Sequence, residues 1–358
     1  MFQYIRVNLL LLALTLLLCS VLYPLVLLVI GQTLFPHQAE GSLIDEDGNP
    51  VTSAARARGS RLIAQPFKGD EYFQPRPSNA GSNGYDASAS GASNWGASNP
   101  LLRSRVTRQL GPMVKYADDP RNRPRKRGRF VARDIEAWFQ GRVKKDPNYV
   151  VRWAEENSAL AEQWVKDNSA VVATYLKKSK EEVNGDTAAA SKGFWKKYAN
   201  AEATRGTWPT VEDKTVDGKP AKVLVPATTG PDVQGFFFDP WLQDRKHRNV
   251  VLEKVPADMV MSSGSGLDPH ITLDNARYQL KHRVAQKQAE TFLKAHPEVE
   301  EQLGRASLEK RIAEAVDKLL EEKKEAPLGG LVGVDLINVL EVNLAMQARL
   351  KKLEQELP

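Results

Sequence analysis

The sequence has a single cysteine, Cys19, among its 358 residues. An intramolecular disulfide is therefore excluded, and any folded part is stable on its packing alone. Its five histidines, at 37, 247, 270, 282 and 296, show no metal-ligand spacing. Charge is absent from all 22 residues of the stretch 9–30, and lysine and arginine are absent from 31–55. The first gap excludes an ordinary soluble N-terminus, and the second gives the two flanks of the apolar stretch different character.

A helix over residues 9–30 spans ~33 Å at ~1.5 Å per residue, enough to cross a hydrocarbon core. The apolar run passes into Gly31-Gln32-Thr33-Leu34-Phe35-Pro36 without a small-x-small cleavage site, so the helix is expected to be retained rather than removed as a signal peptide. Tyr23-Pro24 is expected to kink it toward its outer end. Arg6 and the α-amino group precede the helix, whereas Glu40, Asp45, Glu46 and Asp47 follow it. The positive-inside rule then keeps residues 1–8 in the cytoplasm and the bulk of the chain outside, in a single-pass inner-membrane protein.

Beyond the helix, residues 37–58 read as a stalk or exposed loop. Between Ser78 and Asn99, 19 of 22 residues are Ser, Asn, Ala or Gly, which by composition is a flexible linker ending at a possible helix start, Asn99-Pro100. The formal charge of +6 is unevenly placed: residues 112–250 hold 26 basic and 19 acidic side chains, and six of the seven tryptophans (138, 153, 164, 195, 208 and 241). The run 121–129 reads as a solvated basic loop, with anionic lipid headgroups as the sharper alternative and nucleic acid disfavoured. Ile135, Trp138, Phe139 and Val143, then Leu160, Trp164 and Val165, fall at helical spacing, and the tryptophans read as the core of a small helical module. After 250, Thr272 is placed to cap a helix with Ala276, Leu280 and Val284 on one face. A second helix follows through Leu308, Ile312, Val316 and Leu319. The run 336–340 suits a buried strand, with a closing helix from Asn343 to Leu353, although period alone leaves strand and helix open there.

No enzyme active site is legible. Asp213-Lys214-Thr215 looks like the start of a P-type ATPase phosphorylation motif but lacks the glycine that should follow. Gly218-Lys219 runs into Pro220 and has no preceding glycine at phosphate-loop spacing. Ser263-Gly264-Ser265-Gly266 lacks the flanks of a nucleophile elbow, and Pro269 stands between Asp268 and His270, so a turn is the plainer reading.

Taken together, the segments resemble the C subunit of the Kdp potassium-transporting P-type ATPase. The resemblance is carried by the helix with Leu22-Tyr23-Pro24 and Gly31-Gln32, and by Gly59-Ser60-Arg61-Leu62-Ile63-Ala64-Gln65. Tyr72-Phe73-Gln74-Pro75-Arg76-Pro77-Ser78 and Ala89-Ser90-Gly91-Ala92-Ser93-Asn94-Trp95-Gly96-Ala97-Ser98-Asn99-Pro100 extend it, the latter implying that the apparent linker is structured. It continues in Ser263-Gly264-Ser265-Gly266-Leu267-Asp268-Pro269-His270-Ile271, with Gln279 and Arg283-Val284-Ala285, and in Asn338-Val339-Leu340-Glu341-Val342-Asn343-Leu344. It covers about 1–111 and 251–358, which makes 112–250 an insertion; 286–326 also looks longer than usual. Ala64, Pro75, Ala92 and Trp95 stand where the family pattern has Gly, Gly, Gly and Leu.

The resemblance implies a mixed α+β extracytoplasmic domain in two parts, 31–111 and 251–358, anchored by one transmembrane helix and carrying an inserted, mainly helical module at 112–250. It implies an accessory, non-catalytic subunit of an ATP-driven potassium uptake complex, needed for assembly and described as raising the catalytic subunit's affinity for ATP. Its partners are a channel-like A subunit, an ATP-hydrolysing B subunit, a small F subunit and membrane lipid. No cofactor is intrinsic; the complex uses ATP, Mg and potassium. The family-motif residues expected to seat the loops or touch partners are Tyr23, Pro24, Gln65, Arg76, Pro77, Ser93, Asn94, Asn99, Pro100, Ser265, Gly266, Leu267, Asp268, Gln279, Arg283, Asn338 and Asn343. Two alternatives are a membrane-anchored scaffold or binding protein unrelated to transport, and an anchored hydrolase using Ser263 or Ser265.

Overall fold

The computed structural model describes residues 2–81, 84–216 and 218–356; Met1 of the N-terminal segment, and Ser82 and Asn83 of the Ser/Asn/Ala/Gly block, lie outside them. The apolar stretch forms one 33-residue helix, Phe2–Leu34, with mean hydropathy 2.6 and no part of its apolar window buried. Helical geometry runs past both ends of the uncharged stretch. The disturbance expected at Tyr23-Pro24 takes the form of a π-turn at Leu18–Leu22, where the Tyr23 amide donates to the Leu18 carbonyl. Proline has no amide to give the carbonyl four residues back, and its ring crowds that carbonyl; a wider turn just before it relieves the clash. Thr15 and Thr33 donate their hydroxyls to the carbonyls of Leu11 and Val29 at 2.7 and 2.6 Å, so neither needs water.

The chain folds into two compact units, residues 1–93 with 256–358, and residues 94–255. Seven short strands occur among the described residues: β1 (Leu43–Ile44), β2 (Pro50–Val51), β3 (Gly59–Ser60), β4 (Trp208–Val216), β5 (Lys219–Ala227), β6 (His270–Thr272) and β7 (Leu336–Asn338). All pair antiparallel, in sheets ordered β2-β1-β3, β4-β5 and β6-β7.

In the first unit, β1, β2 and β3 correct the reading of 37–58 as a stalk. Most of that segment is exposed, but Ile44 is fully buried beside Leu340 and Leu344, so the segment is stitched into the fold. The two remaining strands each run straight into a helix. Thr272 ends β6 and caps the helix Leu273–Gln279, its hydroxyl accepting from the Asn275 amide at 3.1 Å. Asn338 ends β7, and its side chain accepts from the Glu341 amide at 3.3 Å as the helix Val339–Glu356 begins. Both readings of 336–340 were therefore half right: the strand stops at Asn338, and the closing helix starts four residues before Asn343. The expected faces pack as read. Ala276, Leu280 and Val284 meet Leu308, Ile312, Val316 and Leu319 of the helix Arg305–Lys323 in one core with Ile271, Ile337 and Met346.

In the second unit, Asn99 caps the helix Pro100–Met113 by accepting from the Leu101 amide at 2.9 Å, with Pro100 in the first turn, where its missing amide costs nothing. Ile135, Phe139 and Val143 line the buried face of Ala132–Lys145, and Trp164 and Val165 that of Ser158–Asp167. The tryptophans form the core as expected. Phe139 stacks on Phe237 with centroids 4.3 Å apart, Trp164 stacks on Phe194 at 5.2 Å, and Trp153 meets Trp208 edge-on at 4.9 Å. The expectation of a mainly helical module missed one element, the hairpin β4-β5, whose two strands have nine residues each. It accommodates both discarded motifs: Asp213-Lys214-Thr215 lies within β4, and Gly218 turns the chain between the strands at φ +76°.

Candidate functional site

The motif residues converge in the first unit on an extended segment, residues 72–78, and on the turn 262–270. Phe73 is fully buried in that extended segment, so its backbone amide and carbonyl need partners that a lone extended chain cannot supply. Asn343 supplies both. Its Oδ1 accepts from the Phe73 amide and its Nδ2 donates to the Phe73 carbonyl, each at 2.9 Å. Gln279 repeats the arrangement one residue on, accepting from the Gln74 amide at 2.8 Å and donating to the Gln74 carbonyl at 3.0 Å. Successive residues of an extended chain present their backbone groups to opposite sides, so one amide side chain from each flanking helix grips the segment as a neighbouring strand would.

Each clamp is itself braced. Gln279 also donates to Asn275 Oδ1 at 2.8 Å and accepts from Arg283 at 2.7 Å. Asn275 in turn donates to Asp258, which accepts the Thr272 amide as well, at 2.9 and 2.8 Å. Arg283 sits on a second π-turn, Leu280–Val284, and reaches the Tyr72 carbonyl and Asp70 at 3.3 and 3.4 Å. Burial pulls its guanidinium down from the ordinary arginine value, against the charge of Asp70. Asn338 donates to the Arg61 carbonyl at 2.8 Å, tying the start of the closing helix to the segment after β3.

The small-residue block is ordered by the same logic. Ser78 donates to the Gly266 carbonyl at 2.5 Å and accepts from the amides of Ala80 and Tyr85. Tyr85 donates to the Arg76 carbonyl at 2.8 Å, and burial pushes its phenol up to about 12. The Gly91 amide and the Ser90 hydroxyl both donate to the Ser265 carbonyl, at 2.9 and 3.0 Å. Gly266 has φ +70°, and a Cβ there would lie 2.7 Å from the Gly91 carbonyl oxygen and 2.8 Å from the Ala80 amide nitrogen. The described residues of the block are structured, as the family resemblance implied and composition alone did not.

The remaining motif residues are spread more widely. Arg76 donates to the carbonyls of Met261 and Ser262 at 3.3 and 3.2 Å and lies 3.6 Å from Asp268. Pro77 and Leu267 are half-buried between these loops, and the Leu267 carbonyl accepts from the Ala64 amide at 2.8 Å. Gln65 is half-buried with its side chain against Gly59. Ser93 ends the first unit half-buried, while exposed Asn94, at φ +53°, opens the second with Asn99 and Pro100. Tyr23 is 63% exposed on the apolar helix beside Pro24.

Ser263 and Ser265 spend their hydroxyls accepting from the amides of Asp268 and Leu267, at 3.4 and 3.1 Å. One pair that the sequence reading dismissed does form. Residues two apart in an extended stretch point the same way, so Pro269 joins Asp268 and His270 rather than parting them. The imidazole Nδ1 lies 3.2 Å from Asp268, and Nε2 lies 3.6 Å from Glu325. Arg61 faces the same group, pairing with Glu341 and Glu325. The Asp268 hydrogen bond, then the charges of Asp268, Glu325 and Glu341, raise the His270 pKa above 6.5 against burial. A raised folded-state value contributes stability that is complete below 6.5 and lost as pH rises through the folded value. Denaturation midpoints of the full chain in detergent should therefore fall as pH climbs from about 6 to 8, and His270→Gln should flatten that slope. An unchanged slope in the variant would contradict the assignment.

These elements match a known family at sequence level. KdpC, described as K+-transporting ATPase, c chain, matches residues 5–126 and 241–348. Proteins named potassium-transporting ATPase KdpC subunit are similar to this chain. That of Pseudomonas syringae pv. tomato is 42% identical over 120 residues, 34% of this chain and 58% of its own length. That of Rhodospirillum rubrum is 46% identical over 110 residues, covering 31% and 53%, and that of Beijerinckia indica 49% over 107 residues, covering 30% and 50%. Each alignment thus spans only about half of the relative. The family match takes in more than half of this chain, breaks off across 127–240 and resumes with the turn and amide residues of the clamp, so the chain belongs to the KdpC family and carries a large insertion.

Proposed function

We propose that this chain is an accessory, non-catalytic subunit of an ATP-driven potassium uptake complex of the inner membrane. One observation carries the reading: the family match, whose two separated segments supply both sides of one buried hydrogen-bonded clamp, Asn343 and Gln279 on residues 73 and 74. The apolar helix anchors the chain. Arg6 before it and the acidic, Lys/Arg-free flank after it favour a cytoplasmic N-terminus and a folded part on the outer side. A channel-like A subunit, an ATP-hydrolysing B subunit and a small F subunit are its proposed partners, and ATP, Mg and potassium are used by the complex. On the outer side the chain has no access to cytoplasmic nucleotide, so any effect on ATP affinity passes through subunit packing. The family-motif residues act mainly by keeping the loops 76–94 and 262–270 in one shape for the partner to meet.

Purification of the tagged full chain in mild detergent tests this reading. Large polytopic partners in fixed stoichiometry are expected; recovery of the chain alone from cells expressing the whole complex would contradict it. A tag at the C-terminus is expected to be cleaved by protease added to intact spheroplasts, and protection there would overturn the orientation.

A further inference from the structure

Outside the apolar helix and its Phe35 end, few large apolar side chains are exposed among the described residues: Leu62, Phe130, Leu328, Leu331, Val332 and Val334. Four of these six fall in one turn, residues 327–334, where they are 75, 86, 62 and 60% exposed. No charged residue occurs from 326 to 334. Leu328 takes left-handed backbone at φ +49° and Gly329 follows at φ +67°, so the turn bends away from regular structure and presents its aliphatic groups outward. A cluster of aliphatic residues in water loses the stabilisation that burial gives, so its exposure marks a surface meant to be covered.

The base of this turn is fixed, and its place in the unit is informative. Glu325 and Leu336 exchange backbone hydrogen bonds at 2.8 and 2.9 Å, and Lys324 pairs with Asp335 at 3.1 Å. Glu325 also lies 3.5 Å from Arg61, whose amide donates to the Ser42 carbonyl at 3.1 Å. Next to it, Ser60 donates to the Gly41 carbonyl at 2.7 Å. Gly41 stands only seven residues beyond Leu34, the last residue of the apolar helix. Seven residues reach ~24 Å at most when fully extended, and Pro36–Ala39 shorten the path by forming a helical turn. The base of the apolar turn is therefore tied to the point where the chain leaves the membrane span, and exposed Leu62 follows directly on Arg61.

We propose that residues 327–334 form a second, interfacial membrane contact. Leu328, Leu331, Val332 and Val334 enter the boundary between headgroups and acyl chains in the leaflet from which the C-terminal end of the apolar helix emerges. The chemistry fits lipid better than a protein pocket. The turn offers no aromatic or arginine side chain to anchor in a specific cleft and no polar side chain to read a partner, only Leu, Val, Pro and Gly. Exposed Lys323 stands four residues before it and is the basic group offered to anionic headgroups, because Lys324 is engaged by Glu321 and Asp335 at 3.0 and 3.1 Å. Such a contact restrains the folded unit at a second point, so that the clamped loops are presented at one tilt rather than swivelling on a single tether.

This inference rests on the apolar helix being a membrane span, and the test separates the two. The full chain carrying Cys19→Ser and Leu331→Cys is labelled with an environment-sensitive fluorophore and reconstituted into liposomes of phosphatidylcholine and phosphatidylglycerol. Lys310→Cys, on a lysine whose side chain is 78% exposed, serves as the aqueous reference. The label at 331 should be quenched by nitroxide-bearing lipid and show an iodide quenching constant about fivefold below that at 310. A chain that fails to float with the liposomes defeats the membrane-span reading itself. A chain that floats while iodide quenches both labels equally overturns the interfacial contact alone. Shielding from iodide without nitroxide quenching, the sign of contact between protein copies, overturns it as well.

Discussion

Asn343→Ala should lower the stability of the first unit by about 3–5 kcal/mol, from two buried backbone groups left without partners at about 1–3 kcal/mol each and the void of the missing amide. Phe73 is fully buried and Asn343 is 1% exposed, so water is poorly placed to take over either bond. Hydrogen exchange followed by mass spectrometry on the full chain reads this locally, and peptides covering residues 70–77 should exchange at least about 100-fold faster. Asn343→Asp distinguishes a hydrogen-bonding role from mere space filling. Its carboxylate would keep the acceptor for the Phe73 amide but oppose the Phe73 carbonyl with a second acceptor and a buried charge. Burial raises the pKa of such a carboxyl in the folded state, so the penalty is present above that value and shrinks as pH falls, when a protonated oxygen can donate again. The alanine variant has no group to titrate there and should show no recovery. Equal exchange in wild type and Asn343→Ala would remove the clamp from the account.

Gly266→Ala is the second large effect. A left-handed backbone costs an L-residue about 1–2 kcal/mol before any contact is considered. Here the added methyl also meets two backbone atoms, the Gly91 carbonyl oxygen at 2.7 Å and the Ala80 amide nitrogen at 2.8 Å. Backbone cannot swing aside as a side-chain tip does, so the total loss should reach about 3 kcal/mol or more. The bonds from Ser78, Ser90 and Gly91 into 265–266 should loosen together. Gly264, two residues earlier, has open space where its Cβ would stand, and Gly264→Ala should change stability by less than about 0.5 kcal/mol. Similar losses at the two positions, read as denaturation midpoints on the full chain, would mean that the close approach of these loops is not as described.

How far the sequence could be read depended on the range of the interactions involved. The apolar helix, the Asn99 and Thr272 caps and the 276/280/284 and 308/312/316/319 faces rest on neighbours a few residues apart, and all were legible. The clamp was not, because Asn343 and Phe73 lie 270 positions apart and nothing near either one records the other. An isolated asparagine after an apolar run looks like a turn residue, whereas here the tertiary fold turns it into a surrogate strand. The hairpin β4-β5 is hidden in the sequence for a different reason. Asp217-Gly218 between two runs is a hairpin signal, but Pro209, Pro220 and Pro226 within those runs argue against strand, and Gly218-Lys219 resembles part of a phosphate loop. Pro269 is equally deceptive, because it separates Asp268 from His270 in sequence although extended geometry puts its neighbours on one side. The family pattern recovered what local reasoning could not in one place, the order of the described residues from Ala89 to Asn99.

Stability and loop shape matter here only if the chain serves a pump that it does not itself power. The most direct measurement is potassium-stimulated ATP hydrolysis in membranes from cells that make the proposed partner subunits, with and without this chain. Hydrolysis that depends on potassium should appear only when the chain is present, and should be impaired when the chain carries Asn343→Ala. Equal potassium-stimulated hydrolysis in the presence and absence of the chain would contradict its proposed place as a working subunit of a potassium transporter.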